Sequence, residues 1–515
     1  MTDNTQTRTE PAVSTETGII VGFRVDDVDH FLGVPYAEPP IGANRFRRPQ
    51  APRPWETPRA ATRLGHPSVQ TNPDYPAWLD PGKESEDCLF LNVWTPNSAA
   101  GAKRPVLVWI HGGAYQYGSA GAPIYDGQKL ARSQDVVVVS INHRLNAFGY
   151  LWFGDIFPEL AGHGNLGQRD LIAALGWVRD NISSFGGDSA NITLFGESGG
   201  GAKIGALLNT EAAAGLFHRV IIQSGSQTCL LERQEATEVA QRFLKVLGVD
   251  SVEELQAADV ESLKRATQAV ENDLGVLAFQ PVIDETLMSR QPWSESQPLG
   301  AVGLPMMIGM TRDESRGFIP EACKLGRSVA DEVRDFFGSA SLTDAEIADL
   351  IARYRCLTEH SADEELAWEL TSDIWMRRSL LHLLDLRQAS GGPNPTYVYE
   401  FRWRTPAFGS LWALHASELP FVFGNLAYPT AWDGVDTDAS RAAADPGEQR
   451  YLLRDEMMAA WGAFARSGDP STDRLSWPQY GKSKSTMIFQ TGGSVIVQHP
   501  DQDRDSAIRH IRPGW

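Results

Sequence analysis

Six short, mostly apolar runs constrain the fold of this chain more than any other feature: Val106–Ile110, Val136–Ile141, Ile192–Phe195, Val220–Gln223, Met306–Gly309 and Tyr397–Phe401. Strands buried on both faces read as near-continuous apolar stretches, whereas strands with one wet face alternate. Helical patterns separate the runs. Leu171, Leu175 and Val178 fall on one stripe of Asp170–Asn181, and amphipathic periodicity recurs over Ala236–Leu247 and Glu456–Arg466. Alternating strands and helices predict an α/β protein, with a mostly parallel central sheet flanked by helices on both faces. Thr343–Ala389 reads as mostly helical with acidic exposed faces, which predicts a cap or side lobe, and the Pro/Gly cluster Gly391–Pro395 reads as a loop.

Composition narrows the function. A net charge of -19 repels phosphates and anionic lipid surfaces, which argues against nucleic acid and membrane as partners. Cys88, Cys229, Cys323 and Cys356 are far apart, with no C-x-x-C or Cys/His metal spacing, and read as free thiols in a reducing compartment. Met1–Gly18 is polar, without a basic segment followed by an apolar one, and no apolar run reaches the length of a membrane span. A cytoplasmic protein with a disordered leader over residues 1–15 is expected.

The chemistry starts at Phe195-Gly196-Glu197-Ser198-Gly199-Gly200-Gly201, directly after the run Ile192–Phe195. A strand that ends in G-x-S-x-G and enters a helix holds its serine hydroxyl clear of the sheet on a sharp turn. In a chain with 47 glycines the motif alone is weak, so neighbouring segments must carry it. His111-Gly112-Gly113-Ala114 follows the run Val106–Ile110 and matches a glycine-rich turn that supplies backbone N–H groups to an oxyanion, with the N–H of Gly199 beside it. A serine hydroxyl also needs a base. The chain order Ser, acid, His leaves His218, His360, His382, His415, His499 and His510 as candidates, and order alone does not choose among them.

Phe185-Gly186-Gly187-Asp188 through Gly200 resembles the serine signature of the type B carboxylesterases, a family that includes cholinesterases and bacterial para-nitrobenzyl esterases. Glu86-Asp87-Cys88-Leu89-Phe90-Leu91-Asn92-Val93-Trp94 resembles a second signature, with Phe90 where Tyr is commoner. Further similar segments run from Phe31–Pro40 through Asn142–Leu145, Gly164–Gly167 and Gln223–Ser226 to Trp477–Tyr480. The resemblance implies one α/β-hydrolase domain over residues 16–515. It also implies a triad of Ser198, Glu314 (in Thr311-Arg312-Asp313-Glu314-Ser315) and His415 (in Leu414-His415-Ala416-Ser417-Glu418), with Asp313 as the rival acid. Gly113, Ala114 and Gly199 become the oxyanion donors; Ala114 and Gly199 differ from the commonest family residues, yet neither change removes an N–H. Ser224 and Glu197 are implied as supporting residues beside the triad, and Arg45 with Glu86 and Arg144 with Asp170 as structural ion pairs.

In secreted family members the counterpart of Cys88 pairs with an upstream cysteine, but Leu64–Asp87 here holds none, so that loop, with Tyr75 and Trp78, is unstapled. The expected activity is hydrolysis of small to bulky, including aromatic, carboxylic esters through an acyl-enzyme, without metal or organic cofactor. Carbamate or amide cleavage by the same triad is the nearest alternative. A non-catalytic binding protein is the remote one, since all three triad residues are present.

Overall fold

Each of the six apolar runs forms a strand in the computed structural model, which describes residues 10–71, 79–98, 101–275, 277–337, 342–357, 362–407, 409–427 and 437–513. Tyr75, Trp78 and His360 lie outside the described residues. The chain divides into two compact units, Met1–Arg219 with Leu230–Arg290, and Val220–Cys229 with Gln291–Trp515.

In the first unit, β1 (Ala12–Thr15) pairs antiparallel with β2 (Gly18–Val21), and β5 (Arg59–Ala60) joins β2 in parallel. The larger sheet contains β3 (Phe23–Val25), β4 (Val28–Pro35), β6 (Phe90–Thr95), β7 (Arg104–Ile110), β8 (Val137–Ile141) and β9 (Gly187–Glu197). β7 runs parallel to both β8 and β9, and β6, β4 and β3 add antiparallel pairings outward from β8. Val106, Leu107, Val108, Trp109 and Ile110 are fully buried, and the Trp109 ring packs on Tyr125 and Phe195. Burial on both faces is the physical reason for the unbroken apolar run. Ala12–Thr15 corrects the expected leader. Val13 and Ile20, paired across β1 and β2, are both buried, and this apolar anchor orders a segment that reads as polar.

In the second unit, β10 (Arg219–Gln223), β11 (Met306–Thr311), β12 (Thr396–Phe401) and β15 (Ser485–Phe489) are successively parallel, and β16 (Val495–Gln498) closes the edge antiparallel to β15. A short hairpin pairs β13 (Thr405–Ala407) with β14 (Ser410–Trp412). The helix Gln449–Ser467 seats Trp461 against Tyr399 and Phe489. The region expected to be helical contains helices Asp344–Leu357, Asp363–Ser372 and Arg378–Ala389, the last two joined by a π-helical turn, Asp373–Arg377. These helices share an apolar cluster around Ile347, Leu350, Tyr354, Leu366, Leu370 and Ile374, which Val333 and Ile508 complete from neighbouring segments.

Candidate active site

In the first unit, β9 ends at Glu197 and the helix Gly199–Leu208 begins two residues later, so the whole reversal happens at Ser198. Its φ of 54° and ψ of -124° lie outside the regions an L-residue ordinarily occupies, a strain that the packed flanks hold in place. The glycines are required by approach distance as well as by the turn. A Cβ at Gly200 would lie 2.0 Å from the Ile110 carbonyl oxygen, and one at Gly199 would lie 2.1 Å from the Ala114 carbonyl oxygen. Ser198 is partly exposed while Glu197 and Gly199 beside it are buried, so the hydroxyl is the accessible group of the elbow.

The turn after β7 has φ of 86° at Gly113 and 51° at Ala114. Peptide planarity makes the held carbonyls inform on the opposite N–H groups. The Gly112 carbonyl accepts from His111 Nδ1 at 2.9 Å, which sets the plane carrying the Gly113 N–H. The Gly113 carbonyl accepts from the N–H groups of Gln116 (3.1 Å) and Tyr117 (2.9 Å), which sets the plane carrying the Ala114 N–H.

In the second unit, Glu314 sits just past β11 in the short helical turn Glu314–Gly317 and is fully buried. Its Oε1 accepts from the Thr311 N–H at 2.8 Å and from the Ser224 hydroxyl at 2.6 Å, while Oε2 faces His415 Nδ1 at 2.5 Å. A carboxylate bonded to Nδ1 fixes the tautomer in which that nitrogen carries the proton, leaving Nε2 as the basic position. Phe318 and Trp375 flank the His415 ring, with centroids 5.5 and 5.2 Å away.

Asp313, the rival acid, is used elsewhere. Its Oδ2 accepts the Ala413 N–H at 2.8 Å and its own N–H donates to the Ala413 carbonyl at 2.9 Å, so it pins the segment that leads into His415. Of the other histidines, His218 Nδ1 accepts the Ile192 N–H, His382 bonds the Trp293 carbonyl, His499 faces Asp505, and His510 is exposed.

Ser224, Glu314 and His415 are thus brought together in one unit, and Glu197, Ser198, Gly199, Gly113 and Ala114 belong to the other. The expected ion pairs form in the first unit. Arg45 meets Glu86 at 2.6 Å and Arg144 meets Asp170 at 2.7 Å, all nearly or fully buried. Residues the sequence reading did not single out are Asp313 as a pin, Phe318 and Trp375 against His415, and Lys203 on the serine helix. For Lys203 a signal existed, a lone charge inside the apolar stretch Gly199–Leu208. Among the described residues no group of three or more His, Cys, Asp or Glu could hold a metal ion, and no helix is long and apolar enough to cross a membrane.

A strained serine elbow between strand and helix, a glycine-rich turn after an earlier strand and a late Glu–His pair define an α/β hydrolase of the serine type. A model of the carboxylesterase family matches residues 9–506, and the chain belongs to that family. It is a serine ester hydrolase. It is 35% identical to the para-nitrobenzyl esterase of Bacillus subtilis (strain 168), over 96% of this chain and 98% of that protein. It is 34% identical to the phenmedipham hydrolase of Pseudarthrobacter oxydans, over 92% of this chain and 93% of that protein. Among solved structures, a Geobacillus stearothermophilus carboxylesterase superposes with a TM-score of 0.83 at 35% identity, covering 96% of this chain and 99% of that one.

Proposed function

We propose that Ser198, His415 and Glu314 act as one triad that hydrolyses carboxylic esters through an acyl-enzyme. The Ser198 hydroxyl attacks the ester carbonyl carbon and passes its proton to His415 Nε2. The carbonyl oxygen, now negative, is received by the N–H groups of Gly113, Ala114 and Gly199. Collapse of the adduct expels the alcohol, which takes the proton back from His415. Water then attacks the acyl group by the same route, releasing the acid and restoring the serine. Glu314 holds the imidazole in the productive tautomer and stabilises its protonated form.

The observation that carries this reading is the Glu314 carboxylate, held by Thr311 and Ser224 on one oxygen and set against His415 Nδ1 with the other. The family match runs through both units, which supports treating them as one catalytic domain. The aromatic side chains of Phe318 and Trp375 beside His415 support bulky or aromatic esters as substrates, as does the similarity to a para-nitrobenzyl esterase. Four cysteines without a disulfide fit a reducing, cytoplasmic setting.

The test is turnover of para-nitrophenyl butyrate, with a matched carbamate and anilide beside it. The wild-type protein should favour the ester, and Ser198→Ala should abolish turnover while circular dichroism stays unchanged. A Ser198→Ala protein that turns over near the wild-type rate refutes the assignment.

A further inference from the structure

The helix after the nucleophile is buried along its whole length, and its single charged residue, Lys203, is fully buried with it. A cation without solvent persists in a folded protein only where polar groups replace its water. Here two backbone carbonyls do so. Lys203 Nζ donates to the Ala114 carbonyl at 2.7 Å and to the His111 carbonyl at 3.2 Å, the two carbonyls that bracket the glycine turn.

We propose that Lys203 is a positioning residue that clamps the oxyanion turn onto the helix following Ser198, so that the N–H groups of Gly113 and Ala114 stay aimed at the reacting carbonyl. This rests on the hydrolase reading above and adds to it a residue that touches neither substrate nor triad.

The turn needs such a clamp. Its two inner carbonyls are held from within, by His111 Nδ1 and by the Gln116 and Tyr117 N–H groups. Those bonds set its internal shape but do not fix where it sits on the helix. Ala114 carries a Cβ at a φ of 51°, a conformation that relaxes unless its surroundings over-determine it. The Lys203 bond to the Ala114 carbonyl supplies that restraint.

Gly199 completes the arrangement, because a Cβ there would meet the Ala114 carbonyl oxygen at 2.1 Å and its carbonyl carbon at 2.5 Å. The same Ala114 carbonyl that Gly199 leaves room for is the one that Lys203 holds.

The surroundings suit an amine aimed at carbonyls. The Tyr115 ring lies 5.4 Å from Nζ, and Glu197 is the acidic group that favours its charge. The His111 and His143 rings stack at 4.8 Å and 7°, and both are kept neutral, chiefly by burial and next by the lysine's own charge; His111 is pushed down to about 3 and His143 well below the ordinary value. Burial brings Lys203 itself down to about 7. Either form keeps the clamp, since a neutral amine still has two N–H bonds, one for each carbonyl.

Full-length Lys203→Met, which removes every donor, and Lys203→Gln, which keeps a neutral one, test the proposal. The readouts are kcat and KM for para-nitrophenyl butyrate and the Ki of an alkylthio trifluoromethyl ketone. Ser198 Oγ adds to the ketone's carbonyl carbon and passes its own proton to His415, and the ketone oxygen takes the carbonyl electron pair as an oxyanion on the turn.

Lys203→Met should lower kcat about 10- to 100-fold, leave KM within about threefold, and raise the Ki by the same factor as kcat falls, with Lys203→Gln between it and the wild type. Wild-type kcat and Ki in Lys203→Met overturn the clamp, and so does a fall in kcat with the Ki unchanged. Should Lys203→Met fail to fold by circular dichroism, the Ki of Lys203→Gln decides by the same criterion. A wild-type protein that neither hydrolyses the ester nor binds the ketone refutes the hydrolase reading itself, a failure distinct from that of the lysine.

Discussion

Replacing Glu314 by glutamine changes one oxygen for an NH₂ group and leaves the shape alone, so its effect follows from hydrogen-bond direction. Oε1 receives two donors, the Thr311 N–H at 2.8 Å and the Ser224 hydroxyl at 2.6 Å. A backbone N–H cannot accept, so the glutamine oxygen must take that position and its NH₂ must turn toward His415 Nδ1. Nδ1 then has to accept, the imidazole proton moves to Nε2, and the ring can no longer take the proton of Ser198.

Opposing this swap would leave a buried donor facing a donor, at a cost of about 1–3 kcal/mol. The protonated imidazole also loses a carboxylate neighbour, worth about 4 kcal/mol at an effective dielectric near 20 and a separation of about 4 Å. Together these raise the barrier by about 5–7 kcal/mol, which at about 1.4 kcal/mol per decade lowers kcat about 4 × 10³- to 10⁵-fold. Steady-state hydrolysis of para-nitrophenyl butyrate by Glu314→Gln measures this, with a thermal melt to verify the fold. A kcat within tenfold of wild type refutes the orientation argument.

Ser224→Ala removes one of the two donors on Oε1 and leaves Thr311 in place; kcat should fall about 3- to 30-fold with KM unchanged, and an unaltered kcat would show that the hydroxyl does not steady the acid. Stability should carry the mark of Lys203. Its folded value of about 7 lies below the ~10.4 of an unfolded lysine, so between those limits the unfolded chain binds more protons and stability rises with pH. That rise is ~5 kcal/mol in all, and below pH ~7 the cost of burying the charge is fully present. Urea melts at pH 7 and 9 should show the wild type gaining relative to Lys203→Met, and an equal response of the two proteins contradicts the burial argument.

Much of the fold is readable from the chain because its central strands are buried on both faces. β7 and β8 leave runs such as Val106–Ile110 and Val137–Ile141 that no wet helix or edge strand would carry. β1 escapes the same reading, since a four-residue strand anchored through Val13 carries too little apolar pattern to separate from a polar terminus.

The serine elbow and the glycine turn are legible because their chemistry is local. The base is not. His415 meets an acid 101 residues upstream, and only resemblance to a family selects it from the other histidines. The choice of Glu314 over Asp313 likewise comes from the resemblance, and its physical reason lies in direction, one carboxylate facing His415 and the other the Ala413 N–H. Lys203 is visible as a charge in an apolar helix, but the carbonyls it serves lie some 90 residues earlier, at His111 and Ala114.

The most direct test of the central claim is the mass of the protein quenched during steady-state turnover of a slowly deacylating para-nitrophenyl ester. One acyl group per chain is expected, located by peptide mapping on Ser198, and none on Ser198→Ala. Burst release of para-nitrophenol without an adduct, or an adduct carried by any residue other than Ser198, would contradict it.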